Sequence, residues 1–386
     1  MESAPRAIPI LNLSKANDSH QKQELLEQLR DALFVTGFLY VRNHGVDTTI
    51  ISDLVARLPA LFDIPSEAKS ALSKMNSPHF LGYSGYAEET TLGQKDLREQ
   101  FDFATELPVI WDKNGSMKQN GAGTDSFSEL FWRLRGPNQW PSEAQIPGFR
   151  AAFTEYHDAL QELSYRFVHL VEEAFGIPVG TFDAFFPRAP SSQPLEGDSG
   201  YSYVCPQHRI KLLKYPPSSI SGGSPHDSQG VGAHKDSSGW LTFLYQIGQE
   251  EGLEVLDSTG AWISAPPIHD TFVVNFGNAF EAATEGAIKA TVHRVKAPLP
   301  TSNPRYSIPF FQGLPLDLSV SEIQSFIPED VKKLRSSTNG SVRAETVSSF
   351  LDPRWDSLGH SQLRKWIRSH KNVGRKFYGD DVVDFY

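Results

Sequence analysis

The most chemically suggestive residues of the 386-residue chain are a histidine and an aspartate one position apart, His234 and Asp236. They follow a stretch punctuated by Gly230 and Gly232, typical of a turn, and precede an apolar segment that begins at Trp240. On an extended backbone, side chains two positions apart point to the same face. An imidazole and a carboxylate directed at one point supply two ligands of a facial metal site, so a third must come from elsewhere.

Two later histidines are candidates for the third ligand. His269 lies in a proline-bearing segment that is typical of a turn. His293 lies in an apolar-flanked segment with strand character, and it is the predicted ligand because a strand positions a side chain more rigidly than a turn. Two histidines and one carboxylate with open positions are typical of non-haem Fe(II), although zinc is also compatible with this set.

A second pair of polar residues follows in a later predicted strand. Arg305 and Ser307 are again two positions apart, which directs a guanidinium and a hydroxyl to one face. Such a fork suits a bidentate carboxylate ligand. The alternative is a surface arginine beside a surface serine. The order of the motifs, all among predicted strands, favours the ligand-binding interpretation.

Composition excludes several classes of function. The net charge of −10 and the pI near 5.7 give no basic footprint, so nucleic acid is not an expected partner. The single cysteine, Cys205, excludes an intrachain disulfide and a multi-thiolate metal site, which fits a reducing compartment. The sequence has neither a recognisable signal peptide nor an apolar run long enough for a membrane helix, which predicts a cytoplasmic protein with no membrane partner.

The hydrophobic period changes from helical to strand-like along the chain. Amphipathic spacing predicts helices in the N-terminal half, including a long one over about 147–175 that ends at Gly176. Residues 112–126 are predicted to form an exposed loop, and 188–200 a flexible connector. Short β-rich segments then predict an antiparallel sandwich or barrel, with strands at 207–215, 240–247, 252–256, 262–264, 271–276, 289–296 and 305–311.

These elements predict an α+β, β-dominated chain that forms one composite domain. Residues 1–187 are the mostly helical N-terminal part, 201–313 the catalytic core, and 314–386 a C-terminal helical cover.

At this point the sequence resembles the isopenicillin N synthase-like family of Fe(II)- and 2-oxoglutarate-dependent dioxygenases, and in style its members from fungal or microbial specialised metabolism. The resemblance spans nearly the whole chain. It is carried by segments 8–13, 37–45, 98–102, 212–217, 234–236, 252–255, 290–295 and 305–311. It implies a double-stranded β-helix (jelly-roll) barrel flanked by N-terminal and C-terminal helices.

The resemblance also implies roles for individual residues. His234, Asp236 and His293 would bind Fe(II), while Arg305 and Ser307, assisted by the hydroxyl of Tyr215, would bind the distal carboxylate of 2-oxoglutarate. O₂ would be the oxidant and ascorbate a reductant in vitro. Two positions depart from the family pattern: Lys235 stands where Thr is usual, and Asn278 where Asp is common.

The implied reaction oxidises a small organic metabolite by hydroxylation, desaturation, epoxidation or rearrangement, coupled to conversion of 2-oxoglutarate to succinate and CO₂. For Lys211, which shares a strand face with Tyr215, the alternatives are an inward and a solvated side chain, and the solvated one is expected. No oligomer is required. Two alternatives stay open: an Fe(II) oxidase that does not use 2-oxoglutarate, and a non-catalytic metabolite-binding protein. The expected substrate-lining aromatics, for each of which core packing is the alternative, are Phe101, Phe103, Tyr83 and Phe276.

Overall fold

The structure is a computed structural model that describes residues 7–91, 93–114, 127–187, 203–217, 229–236, 239–333 and 356–386. The predicted connector 188–200, and the predicted loop 112–126 from residue 115 onward, lie outside the described residues.

The strands are, in chain order, β1 (Ile10–Asn12), β2 (Phe38–Arg42), β3 (Gly82–Ser84), β4 (Thr90–Thr91), β5 (Gln94–Lys95), β6 (Glu99–Ala104), β7 (Arg209–Tyr215), β8 (Gln229–His234), β9 (Leu241–Ile247), β10 (Leu253–Leu256), β11 (Trp262–Ser264), β12 (Thr271–Phe276), β13 (His293–Lys296) and β14 (Arg305–Phe311). The α-helices are α1 (Lys22–Val35), α2 (Thr48–Phe62), α3 (Ser66–Ala71), α4 (Phe149–Phe175), α5 (Asn278–Ala283), α6 (Val320–Phe326), α7 (Glu329–Lys333), α8 (Leu358–Ser369), α9 (Lys371–Tyr378) and α10 (Asp380–Phe385).

Two sheets face each other across an apolar interior, as in a jelly roll. The larger has the order β1-β2-β12-β9-β14-β7-β6-β3, and the smaller has the order β11-β10-β13-β8. Side chains of both sheets, such as Leu213 and Val273 from the larger and Val231 and Val255 from the smaller, form one buried cluster between them. The predicted jelly-roll class is therefore confirmed, although backbone hydrogen bonds do not join the two sheets into a closed barrel within the described part of the chain.

The N-terminal part contributes more sheet than its helical pattern suggests. Strands β1 and β2 extend one edge of the larger sheet, and β6 and β3 extend the other. Helices α1, α2 and α4 cover the outer face of that sheet, where their apolar stripes pack on side chains such as Phe103, Phe243 and Phe310. Helix α4 ends as predicted, because Gly176 adopts a left-handed conformation (φ 70°) and donates its N–H to the last turn. The three-part division of the chain stays a prediction.

Strand β8 was not expected, since its glycines suggested a turn. It pairs antiparallel with β13 instead. A Cβ at Gly230 would lie 3.0 Å from the Val295 carbonyl oxygen and 3.1 Å from the Tyr215 ring. The glycine thus permits close approach of neighbouring strands rather than a reversal of the chain.

The C-terminal helices close one end of the space between the sheets. Trp366 of α8 stacks on Phe80, with ring centroids 5.8 Å apart, within a buried cluster that also includes Leu134 and Tyr378. None of the described helices combines the length and the apolar composition needed to cross a bilayer.

Candidate functional site

Three predicted ligand side chains, distant in sequence, meet at the end of β8. His234 and His293 are directly opposed in the β8–β13 pairing, and their ring centroids are 4.3 Å apart. The Oδ1 atom of Asp236 lies 3.6 Å from Nε2 of His293 and 3.9 Å from Nε2 of His234. One ligand atom from each residue lies within 4.8 Å of the others, a spacing that suits a shared metal ion.

Backbone carbonyl groups orient both imidazoles. Nδ1 of His234 donates to the Gly232 carbonyl oxygen at 2.8 Å, and Nδ1 of His293 donates to that of Thr291 at 3.1 Å. Since a carbonyl only accepts, each Nδ1 carries a proton, which leaves each Nε2 as the ring nitrogen that can bind a metal. Burial, followed by the neighbouring His293, lowers the pKa of His234 to about 3, so this ring is neutral at physiological pH.

The carboxylate of Asp236 is oriented by two other side chains. Its Oδ2 accepts hydrogen bonds from Thr242 Oγ1 at 2.7 Å and from Asn275 Nδ2 at 2.6 Å, which leaves Oδ1 toward the histidines. Burial acts to raise the pKa of Asp236, but His293, His234 and the two hydrogen bonds outweigh it and lower the pKa. Two imidazoles and an ionised carboxylate fit the ligand set of a divalent transition metal.

Arg305 lies in the same cavity with part of its donor capacity unused. It is 1 % exposed, and its Nη2 donates to Gln246 Oε1 at 2.7 Å while its Nη1 is 3.4 Å from Ser307 Oγ. Its Nε has no hydrogen-bond partner, and no described carboxylate is within ion-pair distance. A buried cation without an anion is costly, so the site fits an anionic ligand.

Tyr215 completes this part of the site. Its ring centroid lies 5.1 Å from the guanidinium carbon of Arg305, and its hydroxyl is 3.5 Å from Arg98 Nη1. A cavity of about 750 Å³ extends from here to α8. It is lined by all six predicted metal-binding and carboxylate-binding residues: His234, Asp236, His293, Tyr215, Arg305 and Ser307. His269, the rejected candidate, does not line it.

The four aromatic residues predicted to line the substrate site do not line this cavity. Phe101 and Phe103 are fully buried under α2 and α4, because in β6 the alternate residues Gln100 and Asp102 point the other way. Phe276 packs on Phe280 of α5, with ring centroids 4.8 Å apart. The core-packing alternative therefore describes them.

Tyr83 likewise packs on Phe101, at 4.9 Å between centroids, and donates to Glu99. The predicted solvation of Lys211 is wrong. Its side chain is 14 % exposed, lines the cavity and lies 3.6 Å from Asp102.

Three positioning residues escaped the sequence interpretation: Thr242, Asn275 and Gln246. Each is a buried polar residue in a largely apolar strand, which is the signal that could have identified them.

The two departures from the family pattern have local explanations. Lys235 forms an ion pair with Glu281 at 3.2 Å, and the backbone N–H of Asn278 donates to the Asp236 carbonyl.

Comparison with known families gives two matches that together cover most of the chain. Residues 8–143 match the N-terminal domain described as non-haem dioxygenase in morphine synthesis. Residues 206–313 match the 2OG-Fe(II) oxygenase superfamily.

Individual relatives and solved structures agree with these matches. The 2-oxoglutarate-dependent dioxygenase frbJ of Dothideomycetidae sp. (strain 11243) is 37% identical, over 96% of this chain and 92% of the relative. A 2-oxoglutarate-dependent dioxygenase of Gibberella zeae is 29% identical over 98% and 93%. The crystal structure of a full-length Neurospora crassa protein in complex with alpha-KG and thymine superposes with a TM-score of 0.62 at 22% identity, over 87% of this chain and 99% of that one.

These fungal relatives agree with the predicted resemblance to members from fungal or microbial specialised metabolism, and the donor set at His234, Asp236 and His293 fits the metal of their family. The chain belongs to the Fe(II)- and 2-oxoglutarate-dependent oxygenases, enzymes that couple conversion of 2-oxoglutarate to succinate and CO₂ with oxidation of a small organic molecule.

Proposed function

We propose that His234, Asp236 and His293 hold the Fe(II), and that Arg305, Ser307 and Tyr215 bind the distal carboxylate of 2-oxoglutarate. The observation that carries the proposal is the buried guanidinium of Arg305, which has no described anionic partner and shares a cavity with the three ligands. A zinc site with the same ligands would not explain the guanidinium, because it would supply no anionic ligand to pair with it.

When bound, the iron supplies activation of O₂ at the expense of 2-oxoglutarate. The residues of the chain supply position. Arg305 neutralises the far end of the co-substrate and fixes its direction, which lowers the entropic cost of reaching a reactive arrangement. Ser307 and Tyr215 each add one hydroxyl to the same carboxylate.

The walls around this site restrict water. Phe38, Leu213, Val231 and Leu253 are buried and line the cavity near the ligands. In such surroundings the interaction between Arg305 and a carboxylate is stronger than in bulk solvent.

The substrate is proposed to be a small metabolite of fungal secondary metabolism that enters from the end of the cavity near α8. All six proposed metal and co-substrate residues come from one chain, so the site requires no second copy. A cytoplasmic location and the absence of nucleic-acid or membrane partners stay predictions.

The test is O₂ consumption by the purified protein with Fe(II), ascorbate and fractionated fungal metabolites, with and without 2-oxoglutarate. We expect consumption that requires 2-oxoglutarate and releases succinate. Substrate oxidation without 2-oxoglutarate would instead identify the rival Fe(II) oxidase. A protein that binds metabolites but never consumes O₂ with added metal would be the non-catalytic alternative.

A further inference from the structure

The end of the cavity near α8 is lined by an excess of positive charge. Arg135 follows the 3-10 helix Leu130–Leu134, Arg209 and Lys211 lie on β7, and Lys365 lies on α8. All four residues line the cavity, as does Trp366. We call Arg135, Arg209 and Lys365 the outer cations.

The nearby acids are already engaged by other groups. Glu89 lies 2.7 Å from Lys74 and His370, 2.8 Å from Gln100 and 3.1 Å from Arg98. Asp102, behind it, is 2.7 Å from Lys74 and 3.6 Å from Lys211. Glu89 lines the cavity but already has cationic partners, so it is not available as the counter-ion of a cationic substrate.

The outer cations, by contrast, have no carboxylate within ion-pair distance among the described residues. Arg209 donates only to backbone carbonyl groups, those of His79, Phe80 and Leu134. The ammonium of Lys365 lies 3.6 Å from the centroid of Trp366, a neutral ring.

Arg135 is 9 % exposed, and its Nε has no hydrogen-bond partner. A buried guanidinium with an unused donor is a position where an anionic ligand is worth most.

The direction in which the pKa of Lys365 is shifted agrees with an excess of positive charge at this end. Burial, followed by the nearby cations Lys211 and Arg209, holds the pKa of Lys365 well below its usual value. An anion at this position would relieve the repulsion among these cations.

We propose, on the basis of the function proposed above, that the outer cations bind a carboxylate of the substrate. Apolar side chains that line the same cavity, including Trp132, Leu314 and Phe311, would contact the body of the substrate. The substrate class is therefore an organic carboxylate with an apolar portion, held by its charge at one end of the cavity while a C–H bond faces the iron. Lys365 and Arg135 would determine specificity without taking part in the proposed metal or co-substrate site.

The test compares three probes of similar shape: 4-phenylbutanoate, its primary amide and 4-phenylbutylamine. Binding is measured by calorimetry, without O₂, to the full chain loaded with Fe(II) and saturating 2-oxoglutarate. We expect the acid to bind at least about tenfold more tightly than the amide or the amine, as charge-assisted hydrogen bonds would give.

Variants assign this preference to the proposed residues. Lys365→Gln and Arg135→Gln should each weaken binding of the acid about tenfold and leave binding of the amide unchanged. Lys365→Arg, which keeps the positive charge, should bind the acid as the wild type does. Lys371→Gln, which removes an exposed cation from α9, is the matched control and should have no effect.

Each other result overturns the proposal. These are equal binding of acid and amide, preference for the amine, no binding of any probe at millimolar concentration, or an acid preference that survives both Gln variants. Visible absorption of the Fe(II)–2-oxoglutarate complex in the same samples reports on the proposed function separately. Normal absorption without acid preference rejects only the carboxylate subsite, while missing absorption rejects the metal and co-substrate assignment.

Discussion

The two ends of the cavity are built in different ways. At the inner end, each functional side chain lies on or next to a strand of the jelly roll, and so do its side-chain partners. Thr242 and Asn275, which hold Asp236, lie on the facing larger sheet, and Gln246, which holds Arg305, lies on the neighbouring strand. At the outer end, charged residues of the paired strands β6 and β7 meet others that reach them only through tertiary packing, such as Lys74 and His370, which are separated by 296 positions.

The difference suggests that the two ends respond differently to substitution. The strands of the jelly roll fix the positions of the inner-end residues, whereas the positions of the outer-end residues depend on how the C-terminal helices pack against the sheets. Changes at the inner end should alter metal and 2-oxoglutarate binding and leave folding intact. Changes in the ion network at the outer end should alter stability first.

The largest expected effect is at the inner end. Asp236→Ala removes the proposed carboxylate ligand and should abolish turnover, because two imidazoles alone would not hold the metal as three ligands do. Succinate release measures this, and circular dichroism should show an unchanged fold. Turnover close to that of the wild type would contradict the assignment.

At the outer end, Lys74→Met tests the ion network. It leaves the buried carboxylates of Glu89 and Asp102 without their shared cation, so the free energy of unfolding should fall by about 3–5 kcal/mol. Denaturant titration measures the change. Lys333→Met, at an exposed ion pair with Asp330, is the control and should have little effect. Equal effects of both substitutions would remove the distinction between the two ends.

Arg305→Ala should separate co-substrate binding from stability. Loss of charge-assisted hydrogen bonds to the 2-oxoglutarate carboxylate should raise its KM about tenfold to a hundredfold. Initial rates at varied 2-oxoglutarate concentration measure this, with the exposed Arg375→Gln as the matched control. An unchanged 2-oxoglutarate requirement would show that this arginine has another role.

A smaller effect concerns acid sensitivity at the outer end. Burial, then the charge of Lys74, lowers the pKa of His370 to about 4, below the value of about 6.5 expected in the unfolded chain. Between these values the unfolded state binds the proton more readily, so the stability contributed by neutral His370 is lost as the pH falls from about 6.5 to 4.

His370→Gln removes this titration. The free energy of unfolding of the variant should therefore fall by about 2 kcal/mol less than that of the wild type between pH 7 and pH 5. Urea titrations at the two pH values provide the comparison. Parallel losses in both proteins would mean that His370 titrates normally.

The sequence predicts where the inner-end residues lie because the signals that place them are local. The alternation in β14 places Arg305 and Ser307 on one face wherever the strand packs, and the observed strand has the predicted bounds. The same period cannot say which face is inward. This is why Phe101 and Phe103, which alternate correctly in β6, were assigned to the cavity instead of to the helices that cover them.

The outer end could not be predicted from such signals. Lys211 and Lys365 follow no shared spacing, and their proximity depends on α8 folding back over β7. The predicted turn in β8 was wrong for a related reason. Glycine is typical of a turn, but it also permits the close approach of β8 to β13 and Tyr215.

The most direct test of the account is the visible charge-transfer absorption that 2-oxoglutarate gives when it chelates Fe(II), measured without O₂. The wild-type protein should develop this absorption with one equivalent of Fe(II). His293→Ala should develop none under the same conditions while keeping its circular dichroism spectrum. Undiminished absorption in His293→Ala would contradict the proposal that residues 234, 236 and 293 hold one iron.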